Sequence, residues 1–127
     1  MAMIEKSAAP VDAHEVDEAA AGRAAACLFR GMGDPSRVAI LRHLLLGEHN
    51  VAELTAHLGL AQSTVSKHLA CLRDCGLAES HPSGRSSVFS LAHPQAVLKL
   101  FAAAEELLAA TGDAVALCPT YGEEANR

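Results

Sequence analysis

Two cysteines, Cys71 and Cys75, stand four residues apart in the stretch LACLRDCGL, residues 69–77. On a helix that spacing puts both side chains on one face, with Cβ atoms about 5 to 6 Å apart, so two thiolates can lean on one ion. A disulfide between them needs a torsion that a regular helix does not offer. A thiol enzyme would need a lowered thiol pKa, from a helix N-terminus or nearby cations. These thiols instead fall near a helix C-terminus beside Asp74, the wrong end of the dipole. A helical cysteine also serves as a small buried hydrophobe, which would be enough for Cys71 taken alone. Cys27 is read as core on the inward stripe of an alanine-rich segment, with an accessory thiol as its second reading.

Just upstream, Gln62, Ser63, Thr64, Ser66 and Lys67 gather the amide, hydroxyl and cationic groups that reach base edges and phosphates from the first turns of a helix. Arg85, beside Gly84, is suited to a phosphate or minor-groove contact from a turn. The bland alternative is a solvated helix face followed by an ordinary turn. The whole chain carries a formal charge of −5, which argues against a generally basic nucleic-acid coat. From Gln62 to Ser90, however, three cations (Lys67, Arg73, Arg85) face two anions (Asp74, Glu79), leaving the centre slightly positive.

The elements that must position these groups follow from local signals. At 127 residues the chain suits one domain, and with three Phe, one Tyr and no Trp its core must be built from Ala, Leu and Val, which favours close-packed helices. Residues 1–16 lack periodicity and read as a flexible arm. A first helix is expected over 17–30, with Ala20, Ala24, Cys27 and Leu28 inward. Asp34-Pro35 caps and opens a second, whose stripe Val38, Leu41, Leu44 and Leu45 stops at Gly47. A short third helix over 51–58 is closed by Gly59, and a fourth over 62–74 buries Val65, Leu69 and Leu72; two helices joined so tightly make a helix-turn-helix. Segments 77–81 and 87–91 flank residues 82–85 as a β-hairpin. Pro94 opens a last helix with Val97, Leu100, Phe101, Ala104, Leu107 and Leu108 on one side, and residues 112–127 form a tail. The expected fold is mainly α with a small β-hairpin, a winged helix-turn-helix domain spanning 17–111. No apolar run approaches a membrane span and no export signal opens the chain, so a reducing cytoplasm and free, metal-binding or redox thiols are expected.

The residues also carry a resemblance. Asp34-Pro35-Ser36-Arg37 with Ile40-Leu41, Glu53-Leu54, Leu58-Gly59-Leu60, the run from Gln62 to Leu69, Leu72, Gly76-Leu77, Gly84-Arg85 and Phe89-Ser90-Leu91 resemble the ArsR/SmtB family of metal-responsive repressors over about residues 19–108. The resemblance implies a homodimer paired through its first and last helices, bound to a palindromic DNA operator and released by an effector. It adds His68 to the DNA-contacting set, in a phosphate or packing role. Ala61 departs from the pattern, which expects a capping hydroxyl there, at a cost of about 1 kcal/mol. The family's thiol pair on the third helix is missing from Val51 to Thr55. Its zinc site on the last helix is missing too, since His93 is followed only by Glu105 and Glu106. Cys71 and Cys75 are similar to the cadmium- and lead-sensing branch, in which a third thiolate comes from the C-terminal tail; Cys118 stands where it would be needed. The implied metal site is therefore Cys71, Cys75 and Cys118, with Cd²⁺ or Pb²⁺ as effector, while Zn²⁺ is left one ligand short of its tetrahedron. The alternatives are a thiol-redox-responsive or arsenite-responsive regulator of the same fold.

Overall fold

The computed structural model describes residues 18–119. The arm expected over 1–16 and the tail beyond Pro119 lie outside the described residues. The elements are α1 (Glu18–Gly31), α2 (Pro35–Leu46), β1 (His49–Asn50), α3 (Val51–Leu58), α4 (Gln62–Asp74), β2 (Ala78–Ser83), β3 (Ser86–Leu91) and α5 (Pro94–Ala110). The fold is a winged helix-turn-helix, mainly helical with a small antiparallel sheet. No described helix is long and apolar enough to cross a membrane.

Local chemistry sets the boundaries. The Asp34 carboxylate accepts from the amides of Ser36 (2.9 Å) and Arg37 (3.2 Å), and Pro35 supplies the first helical residue of α2. Asn50 and Glu53 form a reciprocal capping box at the start of α3, each side chain accepting the other's amide at 2.8 Å. Gly59 closes α3 in the left-handed region (φ 69°), its amide donating to the Thr55 carbonyl, which turns the chain toward α4. Ala61 is the N-cap of α4 and provides no side-chain hydrogen bond there.

Ile40, Leu41, Leu54, Val65, Leu69 and Leu72 are fully buried where α2, α3 and α4 meet, with Phe89 and Leu91 of the wing and Val97 and Phe101 of α5 closing the core. The sheet has three strands rather than the two expected, in the order β1-β3-β2. β1 pairs His49 with Phe89 and Asn50 with Val88, and two residues are too few to leave a periodic signal. The hairpin continues through Pro82 and Ser83, so its turn narrows to Gly84 and Arg85, with Gly84 at φ 63°. Pro82 is tolerated because β2 is an edge strand.

The amphipathic expectations for the first and last helices hold only in part. Among α1 residues only Gly31 is buried; Ala24 is exposed and Phe29 is 59% exposed. On α5, Leu107 is 67% exposed although its neighbours Val97 and Phe101 are buried. Among the described residues, no element of the chain covers these side chains. Phe29, Met32 and Val38 face Phe101, Leu108 and Leu117 around an open apolar groove of about 320 Å³.

Candidate functional site

The fold presents two adjoining constellations on α4. At its N-terminal half Gln62, Ser63, Thr64, Ser66 and Lys67 are all exposed, while Val65 and Leu69 anchor the helix from beneath. Residues 62 and 66, and 63 and 67, are one turn apart and share a flank. Arg85 at the wing tip is also exposed, and with Gln62 it lines a groove of about 330 Å³ whose other walls include Asn50, Val51 and Ser87. The topology thus brings an amide from α4 and a guanidinium from the wing to one concavity.

His68 lies elsewhere. Its side chain is 16% exposed, with Nδ1 3.2 Å from an Arg37 guanidinium nitrogen and Nε2 3.7 Å from the Asp34 carboxylate. Arginine has no acceptor, so Nδ1 accepts and the ring proton sits on Nε2, toward Asp34. Arg37 also donates to the carbonyls of Gly31 (2.9 Å) and Arg30 (2.8 Å). One guanidinium therefore joins the end of α1, the start of α2 and the middle of α4. Sequence reasoning gave Arg37 no task of its own, because its partners are a helix C-terminus and a histidine 31 residues away.

The second constellation is sulfur. Cys71 and Cys75 are both half-buried, and the Cys75 amide donates to the Cys71 carbonyl at 3.0 Å, so the one-turn relation survives although Cys75 is the residue that ends α4. Cys27 does more than pack: its Sγ is 2.7 Å from the Cys75 Sγ, and the Cys75 thiol lies 3.1 Å from the Cys27 carbonyl oxygen. Neither is in a disulfide. Burial pushes the Cys75 thiol up to about 11, helped by its hydrogen bond to Cys27 and by the nearby Cys27 and Cys71 sulfurs, against a smaller opposing pull from Arg30. Gly31 borders this contact: a Cβ there would meet the Cys75 sulfur at 3.5 Å, an ordinary contact, and a Leu77 methyl at 3.3 Å, so α1 and the end of α4 are closely packed here.

Cys118 is held apart from that cluster by the tail's own contacts. The amides of Leu117 and Cys118 donate to one Glu105 oxygen at 2.6 and 2.8 Å, and Arg42 donates to the Leu117 carbonyl at 2.8 Å. The Cys118 sulfur lies 3.9 Å from the Leu98 carbonyl oxygen. The two amides hold the Glu105 carboxyl below the usual carboxylate range. Among the described residues, no three thiols gather their sulfurs within 4.8 Å in one chain. The histidine before α5, His93, is exposed and makes no side-chain cap.

Comparison with known proteins gives the family. The model for the bacterial regulatory protein, arsR family, matches residues 34–80. The probable mercury resistance operon repressor of Streptomyces lividans is 36% identical over 99 residues, which cover 76% of this chain and 78% of that protein. The chain belongs to the ArsR family. CmtR of Mycobacterium tuberculosis is 48% identical over 69 residues, 54% of this chain and 58% of CmtR, and the solution structure of that cadmium sensor overlays with a TM-score of 0.51 at 44% identity, covering 59% of this chain and 81% of that one. The homodimeric winged helix-turn-helix domain Mb0332 of Mycobacterium bovis overlays with a TM-score of 0.65 at 27% identity, covering 71% of this chain and 82% of that one. The ArsR-family match contains both the exposed face of α4 and the Cys71–Cys75 pair. These relatives are transcriptional regulators, and membership points away from enzymatic activity.

Proposed function

We propose that this ArsR-family regulator is a homodimeric repressor that binds operator DNA through α4 and the wing and leaves it when a soft, thiophilic ion binds at Cys71, Cys75 and Cys118. The observation that carries this reading is the thiol pair at the end of the helix whose other end exposes Gln62, Ser63, Thr64, Ser66 and Lys67. Effector and reading surface then share one rigid element.

The donor set fits such an ion. Sulfur ligands select soft metals, and three thiolates suit Cd²⁺ or Pb²⁺ better than Zn²⁺. When bound, the ion supplies a crosslink between sulfur atoms. The chain's own residues do the rest. Arg37 ties α4, through His68, to the carbonyls that end α1, and the Cys27–Cys75 contact ties the C-cap of α4 to the same helix. Any change in sulfur spacing at Cys75 therefore shifts α4 against α1. The apolar groove between α1 and α5, with Phe29 and Leu107 exposed beside it, supports pairing of those helices across a dimer axis. Such pairing would set the distance between two reading heads, and it would let Cys118 of one protomer reach the other protomer's α4.

A specific observation favours a second arrangement in which Cys27 supplies the partner sulfur. It already touches Cys75, whereas Cys118 is hydrogen-bonded along its own α5. Two sulfurs suit a linear ion such as Hg²⁺, the metal named for the Streptomyces lividans relative.

Mobility-shift titration separates the two. An operator is first selected from a random duplex pool, then the complex is titrated with Cd²⁺, Pb²⁺ and Hg²⁺, and with peroxide for the redox alternative. Cys71→Ser, Cys75→Ser and Cys118→Ser should each keep DNA binding and lose Cd²⁺ release, while Cys27→Ser keeps both. Full Cd²⁺ release in Cys118→Ser together with loss in Cys27→Ser would favour the second arrangement. Release by peroxide and by no metal would overturn both.

A further inference from the structure

We propose that His43, His49 and His57 form a second, imidazole-only site for a borderline divalent transition-metal ion of the Zn²⁺ class, at the root of the wing and independent of the thiols. Three elements each contribute one ring: His43 comes from α2, His49 from the two-residue strand β1 and His57 from the last turn of α3. One ligand nitrogen from each lies within 4.8 Å of the other two, the only such grouping of His, Cys, Asp and Glu among the described residues.

The ring geometry suits ligation. His43 and His57 are stacked, with centroids 4.6 Å apart and planes 15° apart, and His49 meets both edge-on at 5.9 and 5.6 Å. The Nδ1 of His49 is 2.8 Å from the Gly47 carbonyl oxygen. That carbonyl can only accept, so Nδ1 carries the proton and the Nε2 lone pair is left for an ion. Metal-binding histidines are oriented by the same kind of outer hydrogen bond to a backbone carbonyl.

Three nitrogens on a tetrahedral ion at about 2.0 to 2.1 Å lie about 3.4 Å from one another, so the present cluster has to close by at most about 1.4 Å. His57 is exposed and can swing, whereas His43 and His49 are half-buried on α2 and on a strand paired to β3. Solvent access at His57 leaves room for water as a fourth ligand. Neutral imidazoles prefer Zn²⁺, Ni²⁺, Co²⁺ and Cu²⁺ over the soft ions that thiolates select, so the two sites divide the metals by ligand chemistry.

Position gives the site a consequence. His49 and Asn50 make up β1, which pairs with β3 of the wing, and Asn50 is the residue that caps α3. An ion held here would brace α2 against the first helix of the helix-turn-helix and against the base of the wing. It would stabilise the reading head by mass action.

The test uses the full chain with Cys27, Cys71, Cys75 and Cys118 changed to Ser, so that sulfur cannot compete, and its H57Q and H43Q/H57Q derivatives. Calorimetric titration with Zn²⁺ should give one ion per chain with micromolar affinity, weakened by about tenfold or more in H57Q, since even losing a ligand's supporting hydrogen bond costs that much. Imidazole resonances of His43, His49 and His57 should shift, and those of His68, His81 and His93 should not. Zn²⁺ should raise the thermal midpoint of the parent and leave that of H43Q/H57Q unchanged. If the four-serine chain does not fold, the wild-type protein saturated with Cd²⁺ is titrated with Co²⁺, whose visible bands should lack sulfur charge transfer and vanish in H57Q. Zn²⁺ or Co²⁺ binding that is only millimolar, or that is unchanged in H57Q and H43Q/H57Q, would overturn the proposal and leave a stacked histidine cluster.

Discussion

If Cys75 is a ligand, its raised thiol pKa makes ion binding pH-dependent in a way that one substitution removes. The fold pushes that thiol from its ordinary 9.0 to about 11, first by burial and then through Cys27 and Cys71. From pH 6 to 9 the sulfur therefore still carries its proton, which must leave when an ion takes its place. One proton released per ion adds a slope of about 1 to log K against pH, so Cys75 alone accounts for about a thousandfold gain in affinity over those three pH units. Other ligands add their own slopes. Cd²⁺ affinity measured by chelator competition in a non-coordinating buffer should rise with pH, and Cys75→Ser should lower the slope by about 1 throughout the window. Cys27→Ala removes the side-chain hydrogen bond and the neighbouring charge but leaves burial and the Cys27 carbonyl contact, so the Cys75 thiolate should appear, by ultraviolet absorbance, at a pH between 9.0 and 11. Identical slopes in wild type and Cys75→Ser would refute the ligand assignment. In the ion-free protein, the raised value means that Cys75 contributes stability that is complete below pH 9.0 and lost as the pH climbs through about 11, so alkaline unfolding should shift in Cys75→Ser.

Lys67→Ala or Arg85→Ala should flatten the salt dependence of DNA binding by about 0.9 per lost phosphate contact, or about 1.8 per dimer, whereas Gln62→Ala should leave the slope and cost about 1 to 3 kcal/mol at one base pair, read by mobility shift over several salts and operator variants. Arg37→Ala strips α1 and α4 of their shared donor and should lower stability by about 1 to 3 kcal/mol in urea, with operator affinity falling further than in a variant of equal stability such as a trimmed surface cap. Glu105 is held below the usual carboxylate range by the Cys118 and Leu117 amides, so tail docking should be complete at neutral pH and lost as the pH falls through that lowered value. Glu105→Ala, which removes the acceptor, should release it at every pH, seen as faster hydrogen exchange at the amides of Leu117 and Cys118.

Helices with local punctuation were legible from the chain alone. Asp34-Pro35, Gly59 and the stripe Val65, Leu69, Leu72 each act within a few residues, and each stands where its chemistry puts it. β1 was not legible, because two residues carry no alternation and their partner strand lies some forty positions away. Leu107 and Ala24 misled for a different reason: apolar spacing marks a face that seeks cover without saying whether the same chain provides it. The exposed polar row of α4 was readable as a row. Its shared groove with Arg85 depends on where the hairpin folds back.

The thiol site divides along the same line. The Cys71–Cys75 relation is local and could be read from spacing, but the Cys27–Cys75 contact spans 48 residues and depends on how α1 packs against the end of α4. That contact bears on how a small event at sulfur could reach DNA. From Cys75 back to Gln62 the helix runs thirteen residues, about 20 Å at 1.5 Å per residue. A tilt of about 5° pivoting at His68, about 9 Å from Gln62 and about 10.5 Å from Cys75, would move the sulfur end and the Gln62 backbone each by about 0.8 to 0.9 Å, while hydrogen bonds tolerate only about half an ångström between their short and long limits. A rearrangement of two sulfurs by about a third of their contact distance is therefore large enough to break the base contacts proposed for the far end. The pivot is the Arg37 grip on α4 at His68, close to midway along that lever, and the restraint on the tilt is the Cys27–Cys75 contact at its end. The sulfur contact and the guanidinium contact are two points fixing one rod, and moving either point changes where its exposed polar end lies.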